Sequence, residues 1–254
     1  VNSLSVSLGV PFSENKIEEF YLEFFMRGIL NESKKYKSLM ASGHSYQSTE
    51  PGITITMNGS VNILAKKNQA KEGDLIYLSK PLGSGYLLSA YFKNSSLLSI
   101  RDFQELMLWL KTGNYLAFTA AQKNNCNVMT DISGFGLASH LGDICMSSNL
   151  SANIKLEKQL LINKDISLLN SFQSTGFKNN YESSKDNVFF SDTNEYEKIL
   201  YDPQTNGPIL MAISKKDQLN FENDFLKLNS KKPLLIGTFI EKSQKLIDIS
   251  KFTN

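Results

Sequence analysis

Met129-Thr130-Asp131-Ile132-Ser133-Gly134-Phe135-Gly136-Leu137 is the stretch on which the reading of this chain turns. An acid closes a short apolar run, and small hydroxyl residues with two glycines then open a helix. Such a turn can hold a cation beside a phosphate chain. The carboxylate is a hard oxygen ligand for Mg2+, and glycines let the backbone approach an anion closely. The N-terminus of the following helix adds unpaired N–H groups. The same residues also read as a tight strand-to-helix turn whose acid caps the helix.

Working outward, hydropathy periods predict a strand near 126–130 before the turn and a helix near 135–147 after it. Upstream, alternation over 3–10 predicts a strand, and Ile17, Phe20, Tyr21, Phe24, Phe25, Ile29 and Leu30 predict an amphipathic helix over 14–35. Ser13 stands as its N-cap with Glu14 and Glu18 nearby. A polar loop at 42–45 leads into a strand near 53–63. The Lys-rich piece 66–73 reads as a linker, followed by a strand over 75–79 and a long helical region over 102–124. Further helices are expected near 158–171, 193–200 and 215–228. Strands are expected near 151–156, 186–191, 208–213, 233–239 and 245–249, the last two as a hairpin or antiparallel edge. The Asn- and Lys-rich stretch 176–187 reads as a mobile loop. Irregular alternation of this kind predicts an α+β fold with helices on mixed sheets.

Composition excludes several classes of function. Twenty-seven Lys and Arg against 25 Asp and Glu leave +2, too little for a bulk field that gathers nucleic acid or an anionic membrane. No apolar run approaches the roughly 20 residues that span a bilayer, and the first residues do not read as a signal peptide. With only His44 and His140, a histidine metal site or a Ser-His-Asp triad is hard to build. Cys126 and Cys145 lack metal-ligand spacing and read as reduced core thiols of a cytoplasmic protein. The chain opens on Val1 almost directly inside a strand, which reads as a fragment of something longer.

Four polar, glycine-bearing loops adjoin apolar runs: Ser42–Ser45, Lys80–Gly85, Thr130–Gly136 and Asp202–Gly207. Lys80 reads either as a phosphate contact or as a solvated strand end. Asp202 reads either as a second cation ligand or as the start of a turn. Neither a Walker A pattern nor a Gly-x-Gly-x-x-Gly after a strand is present.

The ordered set Gly43-His44-Ser45 with Glu50-Pro51, Lys80-Pro81-Leu82-Gly83-Ser84-Gly85, Met129 to Leu137 with His140-Leu141, and Asp202-Pro203-Gln204-Thr205-Asn206-Gly207 resembles selenophosphate synthetase (selenide, water dikinase), of the AIR-synthase-like superfamily. The resemblance implies a two-domain α+β architecture of mixed and antiparallel sheets covered by helices. Residues 1–65 would be the C-terminal part of an incomplete N-terminal ATP-binding and dimerisation domain, and 70–254 a C-terminal domain. It implies that ATP, water and selenide give selenophosphate, AMP and phosphate in a cytoplasmic homodimer, with Mg2+ on the triphosphate. Asp131 matches the family's metal-binding acid, and Gly43, His44 and Ser45 a turn that reaches ATP. Thr130, Gly134, Asp202 and Thr205 are candidate phosphate-facing turn residues.

The family's catalytic Cys or selenocysteine, its Lys and most of its metal-binding aspartates would lie upstream of Val1, so this chain alone would be inactive. Ser42, Ala138-Ser139, Asn206 and Pro208 depart from the family pattern. A diverged non-catalytic or regulatory domain, also as part of an oxidoreductase fusion, stays open beside the enzyme. So does a superfamily relative with another acceptor.

Overall fold

A computed structural model describes residues 1–11, 17–61, 64–126, 128–191 and 193–249. The backbone falls into two compact units, Val1–Asn62 and Ile63–Asn254. Ser13 and Glu14 lie outside the described residues.

In the first unit, β1 (Ser3–Pro11) is followed by α1 (Ile17–Lys35), β2 (Leu39–Ser48) and β3 (Gly52–Asn58). β1 is central, parallel to β2 and antiparallel to β3. Its period-two alternation sends Leu4, Val6, Leu8 and Val10 to one face, where Phe25, Met26 and Ile29 of α1 cover them. The expected loop at 42–45 is instead part of β2, with Gly43, His44 and Ser45 opposite Val6, Ser7 and Leu8. The ladder hydrogen bonds of β1 outweigh the loop propensity of these small polar residues.

The second unit runs β4 (Leu75–Leu78), α2 (Ser84–Lys93), α3 (Ile100–Lys111), α4 (Tyr115–Lys123), β5 (Val128–Asp131), α5 (Gly136–Ser148), β6 (Ser151–Ile154), α6 (Ile166–Ser171), α7 (Phe177–Ser184), β7 (Val188–Phe190), β8 (Ile209–Ile213), α8 (Gln218–Asn229), β9 (Leu234–Ile240) and β10 (Ile247–Ile249). Its seven-stranded sheet has the order β5-β8-β4-β9-β6-β10-β7, antiparallel from β5 to β6 and parallel across β6-β10-β7. Both faces are covered. Ile76, Leu78 and Leu210 face a core with α2 and α5, while Leu75, Tyr77 and Met211 face Ala117, Ala120, Phe221 and Phe225 of α4 and α8. The Leu-Ile-Tyr-Leu strand is therefore apolar throughout, as a doubly covered strand must be. The expected α+β class with mixed sheets under helices holds.

Local expectations need six corrections, the first being that the helix expected near 193–200 is only a 3-10 turn at Glu197–Leu200. The expected mobile loop at 176–187 carries α7, anchored by Phe177 and Tyr181 one helical turn apart with stacked rings. The expected helix over 158–171 is a short 3-10 turn at Lys158–Leu160 and then α6, capped by Asp165. The long helix over 102–124 is two, α3 and α4, separated at Thr112–Asn114, and α2 precedes them. The expected hairpin of 233–239 with 245–249 is absent: β9 pairs with β4 and β6, and β10 lies between β6 and β7. The linker expected at 66–73 is tied down, Lys67 Nζ 2.7 Å from Asp143 and Ala70 N–H on Ser148 Oγ at 3.2 Å.

Candidate functional site

β5 is an edge strand, and Asp131 closes it opposite Ile209. The next residue, Ile132, is fully buried and its N–H donates to Pro208 O at 2.8 Å. With Ile132 anchored inward, the Asp131 side chain is left exposed. The chain then turns through Ser133 and the exposed Gly134 and Phe135, and Gly136 N–H returns to Ser133 O at 3.1 Å. Gly136 has φ +75, and a Cβ there would lie 2.9 Å from Leu200 O. Only glycine starts α5 at this place.

The loop is held from beneath. His140 is buried under it, with Nε2 accepting from Ser133 N–H at 3.3 Å. That bond puts the imidazole proton on Nδ1, which finds no partner among the described residues. Burial holds the His140 pKa below its ordinary value; Lys67 pushes the same way, and Asp131 and Asp143 oppose. Buried Asn180 of α7 donates from Nδ2 to Gly134 O at 2.8 Å and to Tyr201 O at 3.0 Å. Sequence reading placed Asn180 in a loop; the Phe177–Tyr181 spacing was the signal for its helix. We expect Asn180→Leu to cost about 1–3 kcal/mol by leaving these carbonyls unpaired, seen as a lower melting midpoint. An unchanged midpoint would dismiss the role.

The Asp202 loop lies directly against this turn. Gln204 N–H donates to Ser133 O at 3.0 Å, and a Cβ on Gly207 would lie 2.0 Å from Ile132 O. Asp202 is only 1% exposed, and its carboxylate accepts from the Gly85 and Tyr86 N–H groups that open α2 and from Gln204 Nε2 at 2.9 Å. It therefore fills the helix N-terminus that the Lys80–Gly85 loop offers to an anion. Burial raises the Asp202 pKa to about 7 against the pull of those hydrogen bonds. Thr205 is exposed, its N–H on Ser84 Oγ at 2.8 Å.

Lys80 is neither solvated nor on the surface. It is buried, with Nζ donating to Thr112 O at 2.7 Å just past the end of α3, and burial lowers its pKa to about 8. Asn206, left-handed at φ +47, donates to the same carbonyl and to Leu110 O. The two side chains cap α3, where donors and positive charge are favourable.

The structure thus brings together Thr130, Asp131, Gly134, Asp202 and Thr205. Beside them opens a cleft of about 590 Å³ lined by Gly85, Leu88, Phe92, Gly134, Thr175 and Thr205, among others. Gly43, His44 and Ser45 belong to the first unit, exposed along β2 and lining a groove of about 260 Å³ with Val6, Leu8 and Met26. Among the described residues no three His, Cys, Asp or Glu side chains gather as a metal cluster. Cys126 and Cys145 are buried and unpaired, their thiols pushed up to about 12 by burial. No helix of the described residues is long and apolar enough to cross a membrane.

Residues 71–248 match the family model of the AIR synthase related protein, C-terminal domain. The chain belongs to this family. Its curated relatives include the selenide, water dikinase of Shewanella sp. (strain W3-18-1), 31% identical over 209 residues that cover 79% of this chain. The match of this AIR synthase related chain spans little more than half of that relative, 56% of its length. Two solved structures share the fold. AaThiL complexed with AMPPCP and TMP has a TM-score of 0.66 at 18% identity, covering 100% of this chain and 72% of that one. HypE of E. coli, a hydrogenase maturation protein, has a TM-score of 0.69 at 11% identity, covering 99% and 70%.

Proposed function

We propose that this chain is part of an ATP-dependent phosphotransferase of the selenide, water dikinase type, converting ATP, selenide and water to selenophosphate, AMP and phosphate. The observation that carries the reading is the exposed Asp131 carboxylate on a loop whose backbone is fastened to Ser133, Gly134 and Ile132 neighbours on every side. A rigid loop of this kind presents one charge at one place, which phosphoryl transfer requires. The named relative supports the substrate, and AMPPCP in AaThiL supports a nucleoside triphosphate. We assign residues 1–65 to an N-terminal ATP-binding and dimerisation domain and 70–254 to the C-terminal domain of a cytoplasmic homodimer. Gly43, His44 and Ser45 contact ATP in this reading, and Thr130, Gly134 and Thr205 line the phosphate side.

Among the described residues the candidate acids do not make up a complete magnesium site. Asp131 supplies one carboxylate, and the ion takes about six oxygen ligands. Asp202, the other candidate acid, spends its carboxylate on the start of α2. A second reading, a diverged domain that keeps the fold without the reaction, rests on Ser42, Asn206 and Pro208, which depart from the family pattern at the candidate phosphate-facing turns.

Phosphorus NMR of the whole protein with ATP, magnesium and selenide under anaerobic conditions separates the two. A selenophosphate signal with AMP and phosphate supports the dikinase, and intact ATP supports the diverged domain. ADP without selenium incorporation points to a different acceptor. In the active protein, Asp131→Asn is expected to lower turnover at least tenfold while stability stays within about 0.5 kcal/mol, as for an exposed residue. Near-normal turnover would remove Asp131 from the machinery.

A further inference from the structure

We infer that Gln204 is a positioning residue that locks the Asp131 loop to the start of α2; its use in turnover rests on the proposed function. The side chain is 6% exposed and satisfied at both ends. Oε1 accepts from Gly83 N–H at 2.8 Å, from Ser84 N–H at 3.3 Å and from Ser84 Oγ at 3.3 Å. Nε2 donates to Asp202 O at 2.8 Å and to Asp202 Oδ2 at 2.9 Å. Its own N–H holds Ser133 O, two residues from Asp131. One residue therefore joins three segments that are far apart in sequence: 83–84, 133 and 202. The segments at 133 and 202 are turns, and 83–84 is the first step of α2. A primary amide is suited to the place because it is acceptor toward the helix start and donor toward a carboxylate at once.

Two near-isosteric substitutions separate positioning from bulk stability. Gln204→Met keeps the volume and removes both hydrogen-bonding ends. Gln204→Glu keeps the acceptor but sets a second carboxyl against Asp202, so the pair must share a proton to regain a donor. The other ionisable groups facing this place are Lys80, which lines the same small cavity, and Tyr86, whose hydroxyl is committed to Asn163 O.

Amide hydrogen exchange on the whole chain, corrected for intrinsic rates, reads the loop directly. With Gln204→Met, exchange over 132–136 is expected to rise at least about tenfold while α8 changes less than about twofold. With Gln204→Glu, the same loosening is expected at pH 8 and wild-type protection returns by pH 5. Wild-type protection of 132–136 in both variants would overturn the inference, as would equal loss of protection in α8. Should Gln204→Met fail to fold, the acid-dependent recovery of Gln204→Glu decides alone, and its absence counts against the role. If the wild-type whole protein turns over no ATP, the proposed function falls while the exchange result still settles Gln204. If it does turn over, Gln204→Glu should regain kcat on acidification and Gln204→Met should not.

Discussion

Gly207→Ala is expected to unfold the second unit some 6–12 °C below the wild-type chain. The added Cβ would stand 2.0 Å from Ile132 O and 2.7 Å from the Gln204 Cβ. The first of these is backbone, and it cannot swing away as the end of a side chain would. It is also pinned, because Ile132 N–H is bonded to Pro208 O, the residue after Gly207, and Gly207 O accepts from Asn114 Nδ2 at 2.9 Å. Relief requires the two loops to part, which breaks those bonds and disturbs a fully buried Ile132. Overpacking of this kind costs about 3 kcal/mol, at the upper end of the usual range. At about 2–4 °C per kcal/mol for a unit of this size, the melting shift follows. Gly134→Ala is the control: nothing lies within 4 Å of its added Cβ, and the midpoint should move by a degree or two at most. Equal midpoints for the two variants would show that the loops are not packed as described.

Asp202→Ala is expected to cost about 2–4 kcal/mol by stranding the Gly85 and Tyr86 N–H groups and Gln204 Nε2 without an acceptor in the interior. The carboxylate also brings a pH dependence of definite sign. Burial raises its pKa from 3.8 to about 7, so the folded chain keeps a proton that the unfolded chain loses between those values. The stability from that proton is fully present below about pH 3.8 and is lost as pH rises through about 7. Asp202→Asn cannot titrate. The stability of wild type relative to this variant should therefore grow on going from pH 8 to pH 4.5, with other groups cancelling in the difference. Denaturant titrations of the pair at several pH values measure it. A difference that stays flat, or one that shrinks toward acid, would mean that Asp202 titrates as an ordinary carboxylate.

Much of the fold was legible because it follows from local periodicity. The alternation in 3–10 and the apolar run 75–78 each name their element and buried faces without reference to the rest of the chain; the stripe in α1 names its helix but not its buried face, since Phe20 and Phe24 are exposed. Three of the four glycine-bearing loops, 80–85, 130–136 and 202–207, were legible for the same reason, since glycine beside an apolar run marks a turn. The exceptions have a common cause. The segment 42–45 is small and polar and became a strand because β1 lies alongside it. The stretch 176–187 is rich in Asn and Lys, and its Phe177–Tyr181 pair found a core to pack on. In both, tertiary partners outweighed weak local preference.

The site divides along the same line. Sequence alone identified the acid, the glycines and the order of the loops around Asp131, because residue type and spacing are local properties. It named Asp131 as the metal ligand, left Asp202 open between a second cation ligand and the start of a turn, and left Lys80 undecided between phosphate and solvent. Only the tertiary structure separated them. Asp131 is exposed because Ile132 turns inward, Asp202 is consumed by the start of a helix more than a hundred residues away, and Lys80 is buried against the end of another. Which charge is free and which is spent depends on the partner each meets across the fold, and that partner is not written in the neighbouring residues.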